Sequence, residues 1–164
     1  MSDKVTLVDG WKTALVEHVY DVHPDGGQGL VAVIVRAAYA RGYGDRAEFV
    51  SDPDHPLQAA VITRPAGHEV APHAHHPRPT PAEPAPTQEV IVVRYGLVAV
   101  DFYACDGRRV GTEEVGAGDM LVLVTGGHGL RVIEDCSLFE VKMGPYRGRD
   151  ADKYPLVTTS SPVR

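Results

Sequence analysis

The chain has 164 residues, 43% of them hydrophobic, which is enough for one domain with a real core, and it carries a net charge of -6. An acidic chain without a basic stripe is a poor ligand for nucleic acid or an anionic membrane. No apolar run approaches the ~20 residues of a membrane span, and no apolar signal-like core follows Met1, so a cytoplasmic location is expected.

The 17 glycines and 13 prolines predict many turns and little helix. Residues 12–20 are rich in strand formers, Asp21 to Gly29 is a turn cluster, and Leu30 to Val35 is an unbroken apolar run. Together they predict an N-terminal hairpin. Residues 37–46 suit a helical turn or a loop, with Gly42 and Gly44 favouring the loop, and Phe49 to Pro56 reads as irregular. Leu57 to Thr63 reads as a strand, Pro65-Ala66-Gly67 as a turn and Glu69 to His75 as extended chain.

His76 to Pro86 is crowded with Pro77, Pro79, Pro81, Pro84 and Pro86 and is expected to be a stiff, partly polyproline loop without a regular ladder. Strands at Glu89 to Arg94 and Leu97 to Tyr103 flank an expected turn at Tyr95-Gly96, and Asp106-Gly107 is a hairpin signal. Val110 to Val115 leads through a turn at Gly116 to Asp119 into Met120 to Val124, expected to be a buried strand. Turns at Gly126 to Gly129 and Asp135-Cys136 precede strands Leu130 to Ile133 and Leu138 to Met143. The polar chain from Gly148, residues 148–164, is expected to lie on the surface. This spacing predicts an all-β sandwich or barrel, as a single domain over 1–164 with its core over about 30–146. Cys105 and Cys136 are expected to be reduced and packed as small apolar groups.

His73 and His75 are two apart, so on a strand they face the same way. If that face lines a barrel, Glu89 and His128, the latter in a Gly-Gly-His-Gly turn, can complete a metal site. An unpaired Glu89 inside a barrel would be costly, and a cation would compensate it. Period two puts Ile91, Val93 and Tyr95 on the Glu89 face, and Leu130 and Val132 on the His128 face. Two phases compete for Leu138 to Met143. The favoured one puts Phe139, Val141 and Met143 in the core; the other points Glu140 and Lys142 inward as an acid/base pair. His76, His68, His18, His23 and His55 read as surface or loop groups, and Arg64 as a surface group within possible reach of an anionic substrate.

These residues resemble the cupin superfamily. Its first motif reads Gly, five residues, His-x-His, three or four residues, Glu, six residues, Gly. Gly67, His73, His75, Glu89 and Gly96 match it, except that thirteen residues, His76 to Gln88, separate His75 from Glu89. The proline-rich stretch over 76–88 is therefore an insertion at the barrel mouth. The second motif reads Gly, five residues, Pro-x-Gly, two residues, His. Gly118 and Gly126 match, Val124 replaces the proline, and His128 comes one residue early. The chain from Gly126 to Tyr146 is similar to small bacterial cupins.

The resemblance implies a jelly-roll barrel with His73, His75, Glu89 and His128 as ligands of one divalent transition metal. A donor set without thiolate suits Fe, Mn, Ni, Cu or Zn. It also implies a homodimer, for which the N-terminal hairpin (residues 12–37) is the candidate contact. The functional expectation is a metal-dependent enzyme acting on a small molecule by oxygenase, isomerase or lyase chemistry, with Glu140 and Lys142 as candidate catalytic groups. The alternatives are a non-catalytic, metal-containing sensor or small-ligand (sugar-like) binding module, and a metal-free barrel with histidine and tyrosine as base and acid.

Overall fold

A computed structural model describes residues 16–22, 28–35, 44–79 and 85–156. The chain falls into two compact units, Met1–Gly42 and Tyr43–Arg164. In the first, β1 (Val16–Val22) and β2 (Gln28–Val35) form the expected antiparallel hairpin. Residues 12–15, the centre of the turn cluster, most of the 37–46 loop, residues 80–84 and residues 157–164 lie outside the described residues.

Among the described residues, the second unit is one antiparallel sheet of eight strands with a single helical turn. Its strands are β3 (Arg46–Phe49), β4 (Leu57–Arg64), β5 (Glu69–His75), β6 (Glu89–Tyr103), β7 (Arg109–Gly116), β8 (Met120–Leu123), β9 (Gly127–Met143) and β10 (Lys153–Pro155). The helical turn is α1 (Arg149–Asp152). β9 organises the sheet, because it pairs with β4, β5 and β6. Its first half lies against β5 and the end of β6; its second half lies against β4 and the start of β6. No helix among the described residues is long and apolar enough to cross a membrane.

β6 and β9 each run through a position expected to be a turn. In β6 the register slips between Val93 and Val98, around Gly96 with φ 83°. Glu89, Ile91 and Val93 are buried before the slip, and Val98 and Val100 after it. The bulge therefore changes which parity faces inward without ending the strand. Asp135-Cys136 is likewise inside β9, and Cys136 is packed in the core. That core holds Ile91, Val93, Val98, Val100, Leu130, Val132, Cys136 and Leu138, with Leu121 and Leu123 packed against it. Burial of each large aliphatic side chain contributes ~1.5–3 kcal/mol.

Other expectations are corrected. β3 occupies a stretch read as loop and irregular chain. β8 is only half-buried, through Leu121 and Leu123 on one face, and Met120 and Val122 on the other are exposed. Cys105 is exposed rather than packed. The proline-rich insertion has one rung of ladder at its base, where Arg78 and Ala85 exchange both backbone hydrogen bonds. Thr87 Oγ1 adds a 2.7 Å bond to the His76 carbonyl. The chain from Gly148 is mostly exposed over its described part, as expected of a surface segment, but it is anchored. Asp152 is 1% exposed, and β10 pairs with β5, setting Lys153 opposite His75 and Pro155 opposite His73.

Candidate metal centre

β5 carries His73 and His75; its neighbour β9 carries His128 directly opposite His73. Cross-strand partners share a face of the sheet, and the His73 and His128 ring centres are 4.4 Å apart. Close approach at this point needs a glycine beside His128. A Cβ on Gly127 would meet the His73 carbonyl oxygen at 2.6 Å. β6 brings Glu89 to the same spot, with Oε1 3.0 Å from His75 Nε2 and Oε2 3.4 Å from His128 Nε2. The three imidazoles present donor atoms within 4.8 Å of one another. Thus the four residues singled out in the sequence, His73, His75, Glu89 and His128, meet at one buried place, and the early position of His128 does not keep it away.

The protonation states differ. The His73 ring Nδ1 donates to the Ala71 carbonyl at 2.9 Å, which leaves Nε2 as the bare nitrogen. Burial and the neighbouring His128 pull its pKa down to about 3. Burial also lowers His128, to about 4, against the pull of Glu89. His75 goes the other way. Burial opposes its charge, but Asp152 and Glu89 outweigh burial and raise it to about 9. Its Nδ1 is 3.1 Å from Asp152 Oδ2. Glu89 is held below the ordinary carboxylate range, because contact with His75 and the charges around it overcome burial.

A cavity of about 250 Å³ opens beside the cluster. Ile62, Val70, Ile91, Leu130 and Leu138 form its apolar wall. Val93 and Val132 belong to the core instead, and Tyr95 does not line the cavity, because the bulge intervenes. Glu140 and Lys142 do line it, which reverses the favoured phase for this strand. The register explains why: Lys142 sits opposite Glu89, Glu140 opposite Ile91 and Leu138 opposite Val93, so all three share the inward face. Burial and the Glu89 charge push the Glu140 carboxyl up. Burial opposes the Lys142 charge, but Glu140 and Asp152 hold its pKa above the ordinary value.

Four neighbours of the site were not foreseen. Asp152 binds Lys142 Nζ at 2.7 Å, pairs with Arg78 from the insertion and faces His75. Burial opposes its ionisation, but His75 and Lys142 hold its carboxyl well below the usual range. Lys153 Nζ is 3.4 Å from His73 Nε2, and Arg149 also lines the cavity. No periodicity or motif marks these residues in the sequence. Arg64 lines the cavity too, anchored to Asp45 at 3.0 Å. Among the other histidines, His76 is half-buried against Tyr154, His68 lies 3.4 Å from Asp45, and His55 is exposed. Nothing is described of the His18 side chain or of His23.

The residues fit a cation. Ligand atoms ~2.1 Å from a shared ion lie at most ~4.2 Å apart, and the histidine nitrogens are close to that spacing. Glu89 Oε2 is buried and has no hydrogen-bond partner among the described residues. Such a group is expensive to leave uncompensated.

No protein-family model matches the chain, and no curated protein matches it. Among solved structures, a protein of Bacillus halodurans superposes with a TM-score of 0.55 at 16% identity, over 69% of this chain and 80% of that one. A variant of oxalate decarboxylase from B. subtilis gives 0.49 at 18% identity, over 63% of this chain. This chain spans 25% of the length of that protein. A cupin-2 domain containing protein from Shewanella frigidimarina gives 0.44 at 16% identity, over 60% of this chain and 80% of its own. With both motif regions on adjoining strands of one antiparallel sheet, converging beside a cavity, the chain has the cupin fold.

Proposed function

We propose that this protein is a mononuclear metal-dependent enzyme acting on a small organic molecule, by oxygenase, isomerase or lyase chemistry. His73, His75, Glu89 and His128 would hold the metal. The observation that supports this most directly is a cluster of three imidazoles, two of them against a buried carboxylate whose second oxygen lacks a hydrogen-bond partner among the described residues. Three nitrogens and one oxygen, with no thiolate, suit Fe, Mn, Ni, Cu or Zn. When bound, such a cation would polarise a substrate oxygen as a Lewis acid.

The chain's own residues supply the rest. His73 and His128 are already neutral, the state a ligand needs. Asp152 faces His75 Nδ1 and so fixes that ring while Nε2 stays directed at Glu89. Glu140, whose carboxyl is pushed up by burial, is suited to hold a proton at Oε1 or Oε2 and exchange it with substrate. Lys142, 3.9 Å from Glu140 and clamped by Asp152, steadies that carboxylate once the proton has left. An acid group in the cavity favours turnover over a binding or sensor module of the same fold.

The test is elemental analysis of protein purified without added metal, on wild type, His73→Ala and His128→Ala. About one equivalent of a transition metal is expected in wild type, with most of it lost in both variants. Full occupancy in the variants, or none in wild type, overturns the assignment.

A further inference from the structure

The charges around the cavity do not cancel evenly. Each acid in the interior has a partner: Glu89 faces His75 and His128, Asp152 holds Lys142 and Arg78, and Glu140 faces Lys142. The bases nearer the opening are less matched. Neither Lys153 nor Arg149 forms an ion pair with a carboxylate among the described residues. Lys153 has His73 as its hydrogen-bonding neighbour. Arg64 is tied to Asp45 and to the Thr63 carbonyl through Nη1, but its Nε is buried and without a hydrogen-bond partner.

These bases border two adjoining depressions. A second, open groove of about 630 Å³ runs along β5 and β10, and it shares Arg64, Val70, His73, Arg149 and Lys153 with the inner cavity. The shared residues therefore lie where groove and cavity adjoin, the place we call the mouth. Three of the five are cations. Glu69 and Asp150 also line the groove but not the inner cavity.

The position of Lys153 is the most telling. Its ammonium lies beside the bare nitrogen of His73, a proposed ligand, and so at the edge of the proposed metal position. A ligand that approached the proposed metal from the groove would come close to this ammonium, which lines both depressions. Two positive charges, the metal and Lys153, would then flank one ligand group. A neutral hydroxyl or carbonyl would use only one of them, whereas a carboxylate can give one oxygen to each. The inner cavity is smaller than the ~300–1,000 Å³ of pockets for drug-sized ligands, so the molecule is small, and its remainder meets the apolar wall.

Resting on the metal reading above, we propose that Lys153, with Arg149 and Arg64 at the same mouth, forms an anion subsite, and that the substrate is a small carboxylic acid whose carboxylate is held between Lys153 and the metal. Lys153 comes from β10, the short strand added to β5 by the C-terminal segment, so that segment sets specificity.

The probe is malonate, with its neutral isostere malonamide and inorganic phosphate for comparison. Binding is measured by isothermal titration on full-length wild type, Lys153→Met and Lys153→Arg, with the metal content and melting of each sample determined in parallel. Malonate is expected to bind wild type and Lys153→Arg comparably. It should bind Lys153→Met at least ~10-fold more weakly, and malonamide should be weaker by a similar factor. Unchanged malonate affinity in metal-loaded Lys153→Met, or malonamide matching malonate, overturns the subsite while leaving the metal reading intact. Absence of malonate binding to metal-loaded wild type does the same. Phosphate binding as tightly as malonate, with the same dependence on Lys153, overturns the carboxylate assignment. Metal-free wild type that binds malonate as tightly as metal-loaded wild type would overturn the placement of the carboxylate on the metal, whereas metal-free samples at every preparation would defeat the metal reading itself.

Discussion

Asp152 meets three basic groups at once: Arg78, Lys142 and the His75 ring. Buried charges are stable only while paired, and removing one partner leaves the others uncompensated in a poor solvent. Asp152→Asn keeps the shape but discards the charge on which Arg78 and Lys142 depend. A loss of about 3 kcal/mol in urea-unfolding stability is expected. Metal affinity should also fall by ~10–100-fold, as for other loosened ligand supports. Wild-type values in both measurements would show that Asp152 is a bystander. The proposed ligands were legible in the sequence because two histidines on one strand and a carboxylate at fixed spacing from Gly96 form a local pattern. Asp152 and Lys153 were not legible. They reach the site through β10 pairing on β5, a contact between chain segments about eighty residues apart that no local pattern encodes. Glu140 and Lys142 were half legible: alternation gave two phases, and only the register against β6 chooses between them.

At the level of elements, β6 depends on Gly96. The residue has φ 83°, and a Cβ there would meet Cys136 Cα at 2.7 Å and Cβ at 2.8 Å. A side chain at this point is opposed both by the backbone conformation and by the neighbouring strand. Gly67 shares the same φ of 83°, but a Cβ there meets nothing within 4 Å. Gly67→Ala should therefore cost about 1 kcal/mol from conformation alone. Gly96→Ala should cost clearly more, about 3 kcal/mol, because β6 and β9 must move apart. Equal losses for the two variants in chemical denaturation would remove the steric part of this explanation. The same glycine shows why strand boundaries were misread. Tyr95-Gly96 and Asp135-Cys136 carry turn chemistry, and both lie where the long strands bend and slip register. Local composition registers the bend. Whether the strand continues beyond it is decided by the partner strand.

At the level of the whole molecule, every proposed ligand and every residue at the cavity mouth lies in the unit from Tyr43 onward. That unit has its own core. A fragment of residues 43–164 is expected to fold alone, to show cooperative melting and to retain the metal stoichiometry of the full chain. Loss of cooperative melting in the fragment would make the N-terminal hairpin an integral part of the fold. If metal occupies the site, chelation should lower the melting temperature of both forms, because a ligand bound only by the native state stabilises it by mass action. The all-β class and the individual hairpins were legible at this scale because turn residues punctuate the chain at short intervals.

The brace at Asp152 also has a consequence for how the protein is made. The histidines and Glu89 have all left the ribosome once residue 128 emerges, but the carboxylate that steadies His75 follows only later. A nascent chain can thus assemble its barrel strands before its cation-gripping geometry is locked. Any product cut short between Met143 and Asp152 would have the four proposed ligands and lack their keystone.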